Sequence, residues 1–174
     1  MSLLTEEIKS FIGMKTEEEV SCEPVEAGAV RRFCQAIMDE HSIYYFHEAT
    51  EDTRYEGPVA PPLFPAYAFR RPFGTPDPVQ ERADDPEFDG IVGSTAQGLP
   101  PLPLPNLALL NGGSEVEFYR LARHGERIHA THKYHDIYEK EGRNGPMVFV
   151  TIQTDYTNDA SDLLLRVRKT LIRR

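Results

Sequence analysis

Groups that can move protons concentrate in one short stretch, "AIMDEHSIYYFHEAT", at residues 36–50. Asp39 and His41 are candidates for catalysis, because a carboxylate and an imidazole can act as general acid and base near neutral pH. Tyr44 differs from them, since a phenol with an ordinary pKa near ~10 is a poor base at neutral pH. The stretch therefore predicts either the working centre of an acid–base enzyme or the remains of one.

The same residues also have plain structural explanations. Asp39 follows a predicted helix and precedes a turn, where a carboxylate commonly bonds to nearby backbone N–H groups. His41 and His47 lie in a polar loop, and most histidines in such loops are simply solvated. Both explanations remain open for each residue.

Composition limits the class of protein. The chain has 174 residues, 40% hydrophobic and 27% charged, which fits one globular domain with a buried core. A net charge of −9 argues against nucleic-acid binding through phosphate contacts. Cys22 and Cys34 are too few for a disulfide framework and fit no metal motif. No secretory signal or membrane-crossing run is recognisable, so we expect a cytoplasmic domain without a membrane partner.

Apolar spacing predicts helices in the first part of the chain. Leu4, Ile8 and Phe11 indicate a helix within residues 3–12 that starts after Thr5. A second helix is predicted from Gly28, and a third, buried, from about Pro62 toward Phe69, because proline is tolerated in a first turn. The apolar face of the second helix comprises Val30, Phe33, Cys34 and Ile37.

Strand patterns dominate the last part of the chain. Four runs rich in β-branched and aromatic residues are separated by turn-forming residues, and a short strand is predicted in "KTEEEVSCEPV". Alternation of period two predicts an antiparallel meander with one apolar face. The four runs are "SEVEFYRLA", "ERIHATHKYHDIYEK", "MVFVTIQTDYT" and "LLLRVRKTLI".

These patterns together predict an α+β fold, a curled antiparallel sheet wrapped around the buried helix from residue 62. Residues 72–106 are rich in Pro, Gly and Asp and read as irregular loop. A polyproline ligand is possible there, but packing of the loop against the core is favoured by its leucines. They are Leu99, Leu102, Leu104 and Leu107.

Four blocks carry a more specific signal: "AVRRFCQAIMDEHSIYY", "YEGPVAPPLFP", "LLNGGSEVEFYRLARHGERI" and "IYEKEGRNGPMVFVTIQTDYTN". In this order, over roughly residues 25–174, the chain resembles the MaoC-like dehydratases. It is most similar to their N-terminal domain type, as in the dehydratase of type-I fatty acid synthases. The resemblance implies a single hot-dog domain over residues 1–174, with residues 1–24 as an N-terminal extension.

The resemblance also implies a reaction and partners. Relatives add water to a trans-2-enoyl thioester, or remove it from a (3R)-hydroxyacyl thioester, on coenzyme A or acyl carrier protein. Two hot-dog units pair side by side, and no cofactor is implied. The chemistry needs an acid–base pair and a backbone N–H donor for the enolate-like oxygen.

The acid–base pair of catalytic relatives is spaced Asp-x-Asn-Pro-Leu/Ile/Val-His. On this pattern Asp39 falls on the catalytic Asp, His41 on the Asn and Ser42 on the Pro. Ile43 falls on the hydrophobic position, and Tyr44 falls on the catalytic His. The usual base is therefore absent, and His41 stands three residues too early to replace it simply.

Two further departures concern the groups that would bind the thioester. Pro62 stands where relatives have Gly at the start of the central helix, so its N–H is missing and Leu63 would supply the next amide. Asn111 stands where a His would precede Gly112 and Gly113, and an amide can orient a carbonyl but cannot shuttle protons. The glycines permit a close backbone approach to a thioester or, equally, a tight entry into a strand.

The leading hypothesis is a non-catalytic subunit of a two-part hydratase that shapes the acyl tunnel beside a catalytic partner. The first alternative is a self-sufficient homodimeric (R)-specific hydratase that uses Asp39 and His41. The second is an acyl-thioester-binding or thioesterase-like protein on the same fold.

The histidines and basic residues of the predicted strands have plain structural explanations. The histidines are expected on a polar outer face rather than at a metal, because alternate residues on one strand are too widely spaced to converge. The C-terminal basic residues are expected to keep an edge strand soluble rather than to hold coenzyme A phosphates. The histidines are His124, His129, His132 and His135, and the C-terminal basic residues are Arg166, Arg168, Lys169, Arg173 and Arg174.

Overall fold

The computed structural model describes residues 2–70, 73–77, 79–88, 98–104, 107–143 and 145–174. The helices are α1 (Glu6–Lys9), α2 (Ala27–Ile37) and α3 (Phe64–Tyr67), with 3₁₀ turns at Ser42–Tyr44, Glu48–Thr50 and Gln80–Arg82. The strands are β1 (Glu19–Val20), β2 (Leu109–Phe118), β3 (Ile128–Gly142), β4 (Gly145–Asn158) and β5 (Leu163–Arg173). None of the described helices is long and apolar enough to cross a membrane.

The strands form one antiparallel sheet in the order β1-β3-β4-β5-β2. This confirms the predicted α+β fold with a curled sheet, but the predicted meander holds only for β3, β4 and β5. The first strand-like run, β2, crosses over to pair with β5, and it begins at Leu109, earlier than predicted. Gly13, Thr16 and Ser21 continue the short β1 by bonding to β3 on both sides of it.

The first two helices follow their sequence signals. Thr5 caps α1 through a hydrogen bond from the Ile8 amide to its Oγ1 (3.2 Å). Helix α2 buries Val30 and Cys34 as predicted. Ile37, which shares the apolar face, is 48% exposed, because α2 ends there with Met38 in a left-handed conformation.

The predicted central helix is much shorter than expected. Instead of running from Pro62 to Phe69, α3 has a single turn of four residues, of which Phe64 and Pro65 are buried. The prediction of its position was right and that of its length was wrong. A turn of this size, about 6 Å long, cannot cover the inner face of five strands.

Two hydrophobic clusters cover that face instead. The α2 cluster lies under α2 and α3 and comprises Val25, Val30, Cys34, Tyr44, Val59, Ala60, Phe64, Ala122, Ile128, Leu164 and Leu165. The α1 cluster lies under α1 and comprises Ile8, Leu99, Tyr134, Ile137, Val148, Val150, Ile152 and Leu171. The buried Val148, Val150 and Ile152 of β4 have the alternation that the sequence predicted, whereas in β5 the adjacent Leu164 and Leu165 are both buried beside a register shift.

The leucines of the irregular region join the α1 cluster. Leu99 is 4% exposed, and Leu102 and Leu104 pack beside it, which confirms that this loop packs against the core. The Tyr134 hydroxyl donates to the Pro100 carbonyl (2.8 Å) and holds the loop on β3. The rest of the predicted loop at residues 72, 78, 89–97 and 105–106 lies outside the described residues.

The α2 cluster supplies a test of the packing. Leu165 is fully buried, so Leu165→Ala should lower the free energy of unfolding by about 2–5 kcal/mol. Leu63→Ala, at a side chain that is 47% exposed, should change it by no more than about 0.5 kcal/mol. Urea unfolding followed by circular dichroism measures both, and equal losses would contradict the placement of these leucines.

Candidate functional site

The C-terminus of α2 fixes Asp39. Its amide donates to the Cys34 carbonyl (3.0 Å), which closes the helix after Met38. Its Oδ1 accepts a hydrogen bond from the His41 amide (3.2 Å), so the carboxylate has the turn-forming contact that its position predicted. One carboxylate oxygen is thereby occupied by the backbone, and the residue itself is half-buried.

His41 caps the 3₁₀ turn that follows. Its Nδ1 accepts from the Ile43 amide (3.4 Å), so the neutral ring carries its proton on Nε2. The ring centroids of His41 and Tyr44 are 5.8 Å apart. The imidazole is thus beside Tyr44, and the His41 amide bonds to Asp39, but the ring is exposed and its Nδ1 is used in a cap.

Tyr44 is buried at the centre of this group, with 7% of its surface exposed. Burial, together with the nearby Asp39 carboxylate, raises the pKa of Tyr44 to about 12. The Tyr44 pKa rises because both a low-dielectric environment and a neighbouring negative charge disfavour the phenolate. Tyr44 therefore stays protonated at neutral pH, where it can donate a hydrogen bond but cannot accept a proton from water.

A buried thiol lies behind these groups. Burial raises the pKa of Cys34, which is fully enclosed in the α2 cluster, and the Asp39 charge adds to this effect. A hydrogen bond with the Cys34 thiol is the main cause that raises the pKa of Tyr45 to about 12. Asp39 consequently lies near thiol and phenol groups that stay neutral.

Residues 58–60 connect this loop to the start of α3. The Ile43 carbonyl accepts from the Val59 amide (3.1 Å), and the Ala60 amide donates to the Ala122 carbonyl (2.8 Å). Pro62 follows two residues later and has no N–H, while the Leu63 amide has no acceptor within the described part of the chain. The loop and the helix start are therefore adjacent parts of one cluster, as Tyr44, Val59 and Phe64 share it.

Asn111, Gly112 and Gly113 lie elsewhere, on β2 at the open edge of the sheet. The Asn111 Oδ1 accepts from the Gly113 amide (3.0 Å) across a β-bulge. Gly113 has φ +105°, and a Cβ at Gly112 would lie 3.0 Å from the Thr170 carbonyl oxygen. The glycines thus serve a bulge within the strand, and no described contact joins them to Asp39. Their role in binding a thioester stays a prediction.

The strand histidines do not all face outward. His129 does, between Glu18 (2.9 Å) and Asp159 (3.3 Å), and these two carboxylates raise its pKa. His132 lies on the inner face with a side chain only 15% exposed, so the expectation of an outer position was wrong for this residue. His132 has the same strand parity as Ala130 and Tyr134, and that parity was the overlooked signal.

The C-terminal strand was also misplaced. β5 lies between β4 and β2 and is not an edge strand. Arg166 forms a two-pronged ion pair with Asp155 (2.6 and 2.9 Å), and Arg168 contacts Glu117 and Gln153. These arginines connect neighbouring strands on the outer face, and Lys169 points to the inner face instead. Among the described residues, no group of three or more His, Cys, Asp or Glu side chains could hold a metal ion.

The curled antiparallel sheet over α3 is a hot-dog fold, and the Asp39 loop packs beside α3 in it. A family model described as "FAS1-like, dehydratase domain region" matches residues 10–165. The chain therefore belongs to this family and is a MaoC-like hot-dog dehydratase domain. No curated protein matches it.

Solved structures share the fold at low sequence identity. The ChsH1–ChsH2 complex from Mycobacterium tuberculosis matches with a TM-score of 0.70 and 14% identity, over 97% of this chain and 89% of that one. A MaoC-like dehydratase from Rhodospirillum rubrum matches with a TM-score of 0.58 and 19% identity, over 94% of this chain and 93% of that one. The C-terminally truncated HadBC (3R-hydroxyacyl-ACP dehydratase) complex from M. tuberculosis matches with a TM-score of 0.57 and 17% identity, over 93% of this chain and 96% of that one.

The bulge in β2 yields a paired prediction. Gly113→Ala should lower the free energy of unfolding by about 1–2 kcal/mol, because φ +105° strains any residue with a Cβ. Gly28→Ala in α2, where a Cβ meets only the Arg32 side chain at 3.6 Å, should raise it by about 0.5 kcal/mol. Thermal and urea unfolding check both signs, and stabilisation by Gly113→Ala would refute the bulge geometry.

Proposed function

We propose that this chain is the non-catalytic subunit of a MaoC-like (R)-specific enoyl-thioester hydratase or 3-hydroxyacyl-thioester dehydratase. The observation that carries the proposal is Tyr44, a buried phenol with a pKa of about 12 at the position of the catalytic base. A catalytic hot-dog partner would supply the Asp/His pair, while this chain would contribute tunnel wall and thioester contacts. Cys22 and Cys34 are both free, in keeping with a cytoplasmic location.

The proton chemistry supports this assignment. Water addition needs a group that takes a proton at neutral pH, and a group whose pKa is far above the ambient pH is a poor base. Asp39 retains a carboxylate, but one oxygen is bonded to the His41 amide, and its neighbours Tyr44 and Cys34 remain protonated. Asp39 alone could handle one of the two protons of the reaction.

The second requirement, stabilisation of the developing oxyanion, is weakened in the same place. An effective donor must already point at the oxygen when charge develops there. Pro62 offers no N–H, and the Leu63 amide one position further is rotated by about 100° around the helix axis. Two different parts of the machinery are therefore altered within one cluster.

A partner subunit is supported by the open edge of the sheet. Among the described residues β2 bonds only to β5, and the side chains of its Leu110 and Phe118 are exposed. Such an edge invites pairing with a strand of another chain. Two of the similar solved structures are complexes of two named proteins, ChsH1–ChsH2 and HadBC.

The first test is activity of the purified chain alone. With trans-2-octenoyl-CoA as substrate, we expect no hydration above background, because Tyr44, at the position of the catalytic base, stays protonated. Loss of the enoyl-thioester absorbance measures the reaction, and a free-thiol assay on the same samples detects a thioesterase. Rapid hydration that Asp39→Asn abolishes would overturn the proposal.

His41 supports a second candidate, a self-sufficient homodimeric hydratase. Its ring lies beside Tyr44, its amide bonds to Asp39, and its Nε2 is left free by the Nδ1 cap. An exposed imidazole of this kind becomes a base if a second copy of the chain encloses it. This candidate ranks below the first because the ring is now fixed by a backbone bond and faces solvent.

Two single substitutions separate the candidates. If the chain is self-sufficient, His41→Ala should lower the hydration rate by about 10²–10⁴-fold, the usual contribution of a general base. His47→Ala, at an exposed histidine of the same loop, should have no effect. If the chain is non-catalytic, both variants should leave the rate of the complex isolated with its partner within about twofold of the unmodified complex.

A further inference from the structure

Residues 2–22 form a strap that includes α1 and β1 and covers one end of the inner face of the sheet. Ile8 of α1 is only 2% exposed, and Leu4 and Phe11 pack on the same α1 cluster. Opening of the strap would therefore expose apolar side chains of β3 and β4 to water.

The backbone of the strap pairs with β3. The Thr16 amide donates to the His132 carbonyl (2.9 Å), and the Ser21 amide donates to the Ile128 carbonyl (2.8 Å). Between these two bonds, β1 is two residues long and is the outermost strand on its side of the sheet. A short edge strand has few backbone bonds to break, so its attachment depends on side-chain contacts as well.

His129, on the outer face of β3, joins the strap to a distant turn. Its Nδ1 is 2.9 Å from the Glu18 carboxylate of the strap, and its Nε2 is 3.3 Å from the Asp159 carboxylate between β4 and β5. Asp159 also accepts from the Arg127 amide (3.0 Å), and the Arg127 guanidinium donates to the carbonyls of residues 21–22 (3.1 and 2.9 Å). Both ring nitrogens donate only when the imidazole is protonated, so this bridge is complete in the charged form alone.

His132 meets the strap from the inner face of the same strand. Its side chain is 15% exposed, its Nε2 is 3.9 Å from the Glu19 carboxylate, and its Nδ1 is 2.8 Å from the Thr154 Oγ1. Tyr156 and Lys169 line the same recess. These surroundings favour the neutral ring, because the carboxylate is too far away for a hydrogen bond and a charged ring would be desolvated near Lys169.

The two histidines respond to pH in opposite directions. The hydrogen bond to Glu18, joined by that to Asp159, raises the pKa of His129. Its contribution to closure is therefore complete below the ordinary value near ~6.5 and is lost as the pH rises through the raised pKa. Burial lowers the pKa of His132, although Glu19 opposes this, so its contribution is complete above ~6.5 and is lost as the pH falls through the lowered pKa. Closure is thus strongest at about pH 6.5.

We propose that the strap is a pH-sensitive cover, which His129 and His132 hold closed near neutral pH and which opens more readily in acid and in alkali. The proposal rests on the consecutive carboxylates of Glu18 and Glu19, which point to opposite faces of the sheet and each meet one histidine. A histidine on one face alone would give a response in one direction only. The device is independent of the proposed hydratase role, because none of these residues belongs to the Asp39 loop.

Amide hydrogen exchange of the full chain measures opening of the strap directly. Protection factors of the Thr16 and Ser21 amides are recorded between about pH 5 and 8, where histidines titrate, and are corrected for the intrinsic exchange rate at each pH. We expect a maximum near ~6.5 with an acid and an alkaline limb, each falling about threefold, the size of a partly exposed ion pair. A flat profile, or one that changes in a single direction, would overturn the proposal.

Two isosteric substitutions at exposed carboxylates give each histidine its own readout. Glu18→Gln removes the charge that favours protonated His129, so the alkaline limb should shrink while the acid limb remains. Glu19→Gln removes the charge that opposes the effect of burial on His132, so the acid limb should deepen instead. Limbs that stay as in the unmodified chain in both variants would show that the histidines do not control the strap.

His135→Gln is the matched control, because His135 lies on β3 as well but is exposed. We expect its exchange profile to keep both limbs, and a change as large as that in Glu18→Gln would contradict the proposal. NMR titration of the ring protons should place the pKa of His129 above, and that of His132 below, the ordinary value near ~6.5. Equal values or the reverse order would overturn the proposal, and unfolding curves at each pH confirm that every variant is folded.

Discussion

The inner face of the sheet is apolar and must be shielded from water along its whole length, and this requirement organises the molecule. α3 has only four residues, so it covers a small part of strands that are 10 to 15 residues long. The rest of the cover comes from α2 at one end, and from α1 and residues 98–104 at the other. Where these covers meet, a cavity with buried polar groups remains.

The same shortage of helix affects the candidate catalytic loop. Residues 39–44 have to fill space beside α3, so Tyr44 becomes part of the core rather than part of a solvated cleft. Burial keeps its phenol protonated, and the bond from Val59 to the Ile43 carbonyl fixes the loop in this position. The protonated Tyr44 phenol and the one-turn form of α3 are thus neighbouring features of one packed cluster.

The sequence predicted those parts of the fold that depend on local patterns. Runs of β-branched and aromatic residues located β3, β4 and β5, apolar alternation supported β4 and β5, and Thr5 marked the start of α1. The sequence alone could not show that β2 pairs with β5, because sheet order depends on contacts between residues that are far apart in the chain. The length of α3 was overestimated, since proline and apolar residues at its start say little about where it ends.

Parts of the candidate site that are adjacent in the sequence were predicted, whereas parts that depend on contacts between distant residues were not. Asp39, His41 and Tyr44 are adjacent in the sequence, so their proximity in space followed directly. Asn111 was grouped with them through family resemblance, but it lies at the sheet edge and bonds within its own bulge. His132 was missed as an inner residue, although its strand parity with Ala130 and Tyr134 was visible.

The central proposal is that this chain serves the hydration of enoyl thioesters as a non-catalytic subunit beside a catalytic partner. Native mass spectrometry of the complex purified from its source tests this most directly. The account predicts a stoichiometric assembly with a second hot-dog chain that carries an intact Asp-x-Asn-Pro-x-His run, together with hydratase activity. A homodimer of this chain with the full activity would contradict it.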